Sequence, residues 1–170
     1  DLTHFTPSEG VDALKADLLA EGADPAAVAA RHAGDAGPAP LAAHREAIDR
    51  LFAFDTVEEI FAALEADGSD WASAQLAILK IKSPTSLKVT LRHIREGAKA
   101  ASFDDNMAVE YAVSGRIGAT HDFQEGVRAV IVDKDNAPRW SPSDLSGVTD
   151  EALDALFAPL PENEKWTPLA

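Results

Sequence analysis

A mostly α-helical fold is what these 170 residues predict, and three observations predict it. Apolar side chains recur at spacings of three and four through most of the chain. Helix-start residues stand ahead of one such segment after another. Strand-like alternation is nearly absent, with residues 2–5 as the sole candidate.

Taken in order, Val11, Leu14, Leu18 and Leu19 follow Ser8 at helical spacing, and Gly22 closes that segment. Asp24 caps a short alanine-rich helix whose first turn holds Pro25. Residues 34–40 contain two glycines and two prolines, which is loop chemistry. The chain is expected to divide there, into a helical segment 1–40 and a helical domain 41–170. Beyond the loop, Ile48, Leu51 and Phe52 share a face, and Thr56 with Glu59 forms a capping box ahead of Ile60, Phe61 and Leu64. Gly68 ends that helix. Asp70 is expected to cap the next, which carries Trp71, Leu76 and Leu79. Ser83-Pro84 opens another, with an apolar stripe of Leu87, Leu91, Ile94 and Ala98. A further helix is predicted over 104–117. Asp122 is expected to cap a helix that runs from Phe123 towards Val132. Residues 135–143 read as irregular, and 149–156 as a last short helix.

Composition narrows the function. The chain has no cysteine, which excludes disulfides, thiolate nucleophiles and cysteine-bound zinc, and fits a reducing cytoplasm. A cytoplasmic location is therefore expected. No apolar run reaches the roughly 20 residues that span a bilayer, and no leader-like segment opens the chain, so no membrane partner is expected. The only methionine is Met107 and the first residue is Asp1, which suggests a missing upstream portion. A net charge of −14 repels nucleic acid.

Against that background, residues 80–100 hold six basic side chains and one acidic one. Lys88, Arg92, Arg95 and Lys99 fall on one helical stripe at the edge of the apolar face. Such a row suits a polyphosphate, for example the nucleotide end of coenzyme A. The competing reading is a solvated charged face. His4, His32, His44, His93 and His121 show no metal-ligand spacing, and no nucleophile elbow, phosphate loop or dinucleotide fingerprint occurs. No catalytic residue, metal site or cofactor follows from these residues. They specify an acidic helical domain with one basic stripe and no reaction.

Several stretches go further. Residues 83–92, Ser-Pro-Thr-Ser-Leu-Lys-Val-Thr-Leu-Arg, resemble a signature of the 3-hydroxyisobutyryl-CoA hydrolases, a branch of the enoyl-CoA hydratase/isomerase (crotonase) superfamily. A stronger match covers residues 122–135, Asp-Phe-Gln-Glu-Gly-Val-Arg-Ala-Val-Ile-Val-Asp-Lys-Asp. It is followed by Pro138, Trp140, Pro142 and Leu145 at the family's distances. Residues 56–60, Glu110-Tyr111 and Thr3-His4-Phe5 are similar to further family stretches. Two departures stand out: Ala112-Val113 replaces the family's Arg-Leu, and residues 22–40 have no counterpart.

The resemblance implies the C-terminal helical portion of a crotonase-like α/β protein whose core of ββα units lies upstream. It implies hydrolysis of 3-hydroxyisobutyryl-CoA, with the oxyanion hole and carboxylates all in that core, so this chain alone is expected to be inactive. Coenzyme A enters as part of the substrate and no separate cofactor is implied. Lys134, in the matching stretch, joins Lys88 and Arg92 as the expected coenzyme A contacts. The implied partners are the acyl-CoA substrate and the upstream core, with homo-oligomerisation left open. Alternatives are an enoyl-CoA hydratase or isomerase of the same superfamily, and a non-catalytic helical subunit or interaction module.

Overall fold

The computed structural model describes residues 3–167. Among these residues it contains nine α-helices, short 3-10 turns, one π turn and no strand. Leu2 lies outside the described residues, and Thr3, His4 and Phe5, the rest of the expected strand, are irregular. The chain forms two compact units, one ending at Arg50 and the next starting at Leu51. The Gly/Pro loop at 34–40 thus falls inside the first unit. The reason is local: the Gly34 N–H donates to the Phe5 carbonyl at 2.7 Å and ties the loop back to the chain's first segment.

In the first unit, α1 (Val11–Leu18) and α2 (Pro25–Arg31) pair, and Val28 is buried. Asp24 caps α2 as expected, accepting from the Ala26 N–H at 3.1 Å. Gly22 turns the chain between the helices at φ 74°, a conformation that costs glycine little. Asp17 Oδ2 lies 2.8 Å from His32 Nε2 and binds the end of α1 to that of α2. This bond, with Arg31 nearby, holds the Asp17 carboxyl below its ordinary range. Helix α3 (Arg45–Leu51) carries the chain over the boundary.

The second unit begins with two helices in contact, α4 (Val57–Asp67) and α5 (Asp70–Lys80). The Thr56/Glu59 capping box is present in full, and Gly68 ends α4 at φ 64°. Asp70 does not cap α5. Ser69 does, accepting from the Ala72 N–H at 3.2 Å, while Asp67 holds the Ser69 hydroxyl at 2.6 Å. Helix α6 (Pro84–Gly97) starts from Ser83, as expected, and α7 (Phe103–Ile117) from Ser102.

The core lies where α6, α7 and α9 (Asp150–Phe157) meet: Val89, Val113, Val148 and Leu153 are buried together, flanked by Val109, Ile117 and Phe157. The face of α6 in this core is Val89, not the expected stripe. Leu87 and Leu91 are only partly covered and Ile94 is exposed.

Asp122 does not start a helix either. Thr120 caps α8 (His121–Val127) by accepting from the Phe123 N–H at 3.3 Å. The predicted run to Val132 is helical only in part, because from Arg128 the turns widen to π geometry, with the Asp133 N–H reaching the Arg128 carbonyl at 2.8 Å. Beyond it Lys134 and Asn136 take positive φ, 56° and 52°, and the chain runs irregularly to a cis Ser141–Pro142 bond.

Arg116 joins α7 to the end of α9, donating to the carbonyls of Leu156 at 2.8 Å and Ala158 at 2.5 Å. Both acceptors belong to the last turn of α9 or just follow it, where no intrahelical donor remains. Replacing Arg116 by methionine keeps the aliphatic stem and removes both donors. We expect it to lower unfolding free energy by about 2 kcal/mol, read as a fall in the urea midpoint with unchanged slope.

Candidate functional site

An open, mostly apolar groove of about 640 Å³ lies in the second unit. One wall is α4, through Val57, Ile60 and Phe61; the floor is α6, through Leu87, Leu91 and Ile94. The other wall is α8 with its π turn, through Phe123, Val127, Val130 and Ile131, and Trp140 closes one end. The stripe of α6 predicted from spacing is therefore real, but it lines a groove and not the core. Polar groups are few: Lys82, Ser83, Ser86, Thr90 and Asp122.

Asp122 organises that end. It is 5% exposed, and its carboxylate accepts from Ser83 Oγ at 2.5 Å and from the Ser141 N–H at 2.7 Å. The same Ser83 oxygen accepts from the Ser86 N–H at 3.1 Å and so caps α6. One carboxylate thus joins the start of α6, the start of α8 and the loop carrying Trp140. The Trp140 indole N–H donates to the Ile81 carbonyl at 3.0 Å, which fixes the ring against Gly126. His121 Nε2 lies 3.0 Å from the Arg139 carbonyl, and Glu125 accepts from the Arg139 N–H at 2.8 Å.

Arg128 is the second fixed point. It meets both Glu125 oxygens at 2.8 Å, Asp133 and Asp135 at 2.7 Å each, and the Ala137 carbonyl at 3.3 Å. Such a fork matches guanidinium geometry. The Arg128 hydrogen bond, then that of the Arg139 N–H, pulls the Glu125 carboxyl down from 4.5 to about 2. This clasp closes the turn over residues 133–137 and carries the π turn with it.

The expected coenzyme A contacts part company here. Lys88 and Arg92 come together with Arg95 and Lys99 along a second cleft of about 360 Å³. Both are engaged in the fold. Lys88 Nζ pairs with Glu58 at 2.7 Å and donates to the Val148 carbonyl at 3.3 Å, with its side chain 18% exposed. Partial burial works against the Glu58 charge, but the Lys88 hydrogen bond and Glu58's own backbone N–H carry the carboxyl below its ordinary value. Arg92 meets Glu96 and Asp154 at 2.7 Å each and lies 4.4 Å over the Phe157 ring. Arg95 donates to the carbonyls of Phe52, Ala53 and Phe54. Lys88 therefore ties α6 to α4, Arg92 ties it to α9, and Arg95 ties it to residues 52–54. Lys134 differs: it is exposed, and Arg128 holds both acidic neighbours that would pair with it. It lines neither cavity.

Sequence reasoning missed Asp122, Arg128 and Trp140 as organisers. Only the Glu125–Arg128 spacing of three carried a readable signal: the other Arg128 partners lie five to nine residues on, in an irregular turn, and those of Asp122 and Trp140 lie 19 to 59 residues away.

A family model described as enoyl-CoA hydratase/isomerase matches residues 2–157. The chain belongs to that family. A zebrafish (Danio rerio) family member, "3-hydroxyisobutyryl-CoA hydrolase, mitochondrial", is 40% identical over 95% of this chain and 44% of its own length. The protein of the same name from Gallus gallus is 47% identical over 71% of this chain and 31% of its own. Among solved structures, a carnitinyl-CoA dehydratase from Mycobacterium thermoresistibile superposes with a TM-score of 0.83 at 36% identity, over 94% of this chain and 45% of that one. An enoyl-CoA hydratase from Rhodobacter sphaeroides gives 0.78 at 33%, over 96% and 46%. The chain thus spans less than half the length of these family members. The curated relatives are named as mitochondrial proteins, which overturns the expected cytoplasmic location and points to the mitochondrion. Absence of cysteine fits any reducing compartment and was no guide to which.

Two outcomes follow from the fixed points. Asp122→Ala leaves a buried hydroxyl and an N–H without their acceptor and should cost on the order of 3 kcal/mol. The loss is measured by urea unfolding, with Asp122→Asn recovering part of it. Glu125 has its carboxyl depressed in the folded state, so its contribution is complete above pH 4.5 and is lost as pH falls towards about 2. Glu125→Gln should therefore flatten the stability profile across that window relative to the unaltered chain.

Proposed function

We propose that this chain is the helical, non-catalytic part of a CoA thioester hydrolase acting on 3-hydroxyisobutyryl-CoA, and that it is inactive alone. One observation carries the reading: 40% identity across 95% of the chain to a relative of that name, of which the chain spans 44%. The geometry supports it. The residues lining the groove include no histidine, and the one serine–carboxylate pair, Ser83–Asp122, is a helix cap and staple with no third group to complete a relay. The carboxylates with strong partners, Glu125, Glu58 and Asp154, are held by arginine or lysine and not directed at a reacting carbonyl.

For the substrate's phosphates we propose Lys134 as the contact, because Lys88 and Arg92 are already neutralised within the fold. A charge-assisted bond there would contribute about 1.5–3 kcal/mol. The dehydratase and hydratase structures that superpose on the chain favour a second reading, hydration of a 2-enoyl-CoA by the same assembly.

The test is direct. The chain contains no cysteine, so a thiol reagent reports released coenzyme A with no background from it. The chain by itself should release none from 3-hydroxyisobutyryl-CoA, and co-expression with the remainder of a family member should restore release. Turnover by the chain alone would sink the proposal; loss of enoyl-thioester absorbance without thiol release would select the hydratase. In the active assembly Lys134→Glu should raise KM several-fold at low salt, with the effect shrinking as salt is added. An unchanged KM removes Lys134 from the site.

A further inference from the structure

Helix α1 is held in the first unit without a single buried side chain. Its partly covered residues are Val11, Leu14 and Asp17, a spacing of three that makes one face, and its others are exposed. Leu19, just beyond its end, is 87% exposed. A helix of eight residues depends on packing for its stability, and this one has little. The polar contact at the end of its covered face therefore carries unusual weight.

That contact runs from Asp17 to His32, and its far end is anchored. The His32 N–H donates to the Val28 carbonyl at 3.2 Å, and the Thr6 hydroxyl donates to the His32 carbonyl at 3.1 Å. The His32 side chain is 19% exposed. An ionised carboxylate only accepts, so at 2.8 Å the proton of the bond sits on His32 Nε2 whether the ring is neutral or charged. A second proton, on Nδ1, turns a neutral donor into a cation and leaves the contact in place.

We propose that Asp17 and His32 form a pH-operated latch, which acid tightens and alkali loosens, between α1 and the end of α2. Imidazole ordinarily titrates near pH 6.5, within the physiological range. The His32 bond and, less strongly, Arg31 hold the Asp17 carboxyl below its ordinary range, so it stays ionised throughout that window. The ionic part of the contact is then complete below the window and lost as pH rises through it. The charged groups around the ring are few. Arg31 of α2 lies 3.5 Å from the same Asp17 oxygen. It holds that carboxylate at every pH and repels the imidazolium, so the latch loosens without releasing. On α1, Lys15 and Asp12 pair with each other at 3.7 Å in water. Ahead of α1, Glu9 is exposed, and so is His4, which bonds to Thr3.

Amide hydrogen exchange of the full chain tests this, at about pH 5.5 and about pH 8, on either side of the imidazole range. Corrected for intrinsic rates, protection over residues 15–20 should be roughly two- to fivefold greater at the lower pH, the range of a half-exposed ion pair. The difference should shrink as salt is added. His32→Gln keeps a donor and Asp17→Asn keeps an acceptor, but neither pair can become ionic. Each variant should therefore show equal protection at both pH values. Equal protection in the unaltered chain, greater protection at the higher pH, or a difference that survives His32→Gln would overturn the proposal. Where both variants leave α1 unprotected, the unaltered chain still decides: a pH difference undiminished by salt rules out the latch.

Discussion

The second unit depends on a carboxylate that has left water and found its donors inside the protein. Asp122 accepts from a hydroxyl 39 residues earlier in the chain and an N–H 19 residues later. A buried charge is tolerable only when such bonds replace its hydration. Once they do, three segments have fixed mutual positions. The start of α6 cannot slide, because Ser83 caps it while donating to Asp122. The loop at Ser141 cannot lift, and Trp140 beside it is held by its own bond to Ile81. The groove inherits its shape from this one contact.

Against that rigid end, the energetics of α6 divide sharply. Exposed ion pairs such as Arg92–Asp154 contribute little by themselves, about 0.2–1 kcal/mol. Their value here lies in specificity: cations bridging to α4 and α9 fix which way the helix is rolled. The opposite edge forgoes a larger gain, since covering an isoleucine or phenylalanine completely is worth about 1.5–3 kcal/mol. A helix rolled by charge into leaving aliphatic surface open is stable in the unit but not at its optimum.

Much of the architecture could be read from local rules, and the exceptions share a cause. Asp24, the Thr56/Glu59 box and Ser83-Pro84 were legible because a cap and its donors lie within three residues of each other. The caps at Ser69 and Thr120 were misplaced onto Asp70 and Asp122, where two capping residue types stand close together and only tertiary structure chooses. Asp122 is occupied by distant partners, so Thr120 caps α8. The basic stripe of α6 was correctly spaced, yet its destination could not be read, because Glu58 and Asp154 reach it from other helices. Of the groove, the sequence showed the α6 edge alone. The π turn breaks helical periodicity where the rest of the wall lies.

That π turn has an evolutionary reading. A turn closed from residue i to i+5 is what a helix becomes when one residue is inserted without unravelling it. Here the extra residue advances the chain so that Asp133 and Asp135 both arrive at Arg128, while Val130, Ile131 and Val132 are left facing outward. A shortening by one residue within 128–132 would restore regular helix and rotate every later side chain by about 100°. Both acids would then leave the guanidinium. The segment therefore tolerates substitution among aliphatic residues far more readily than any change in its length, a constraint of counting and not of chemistry.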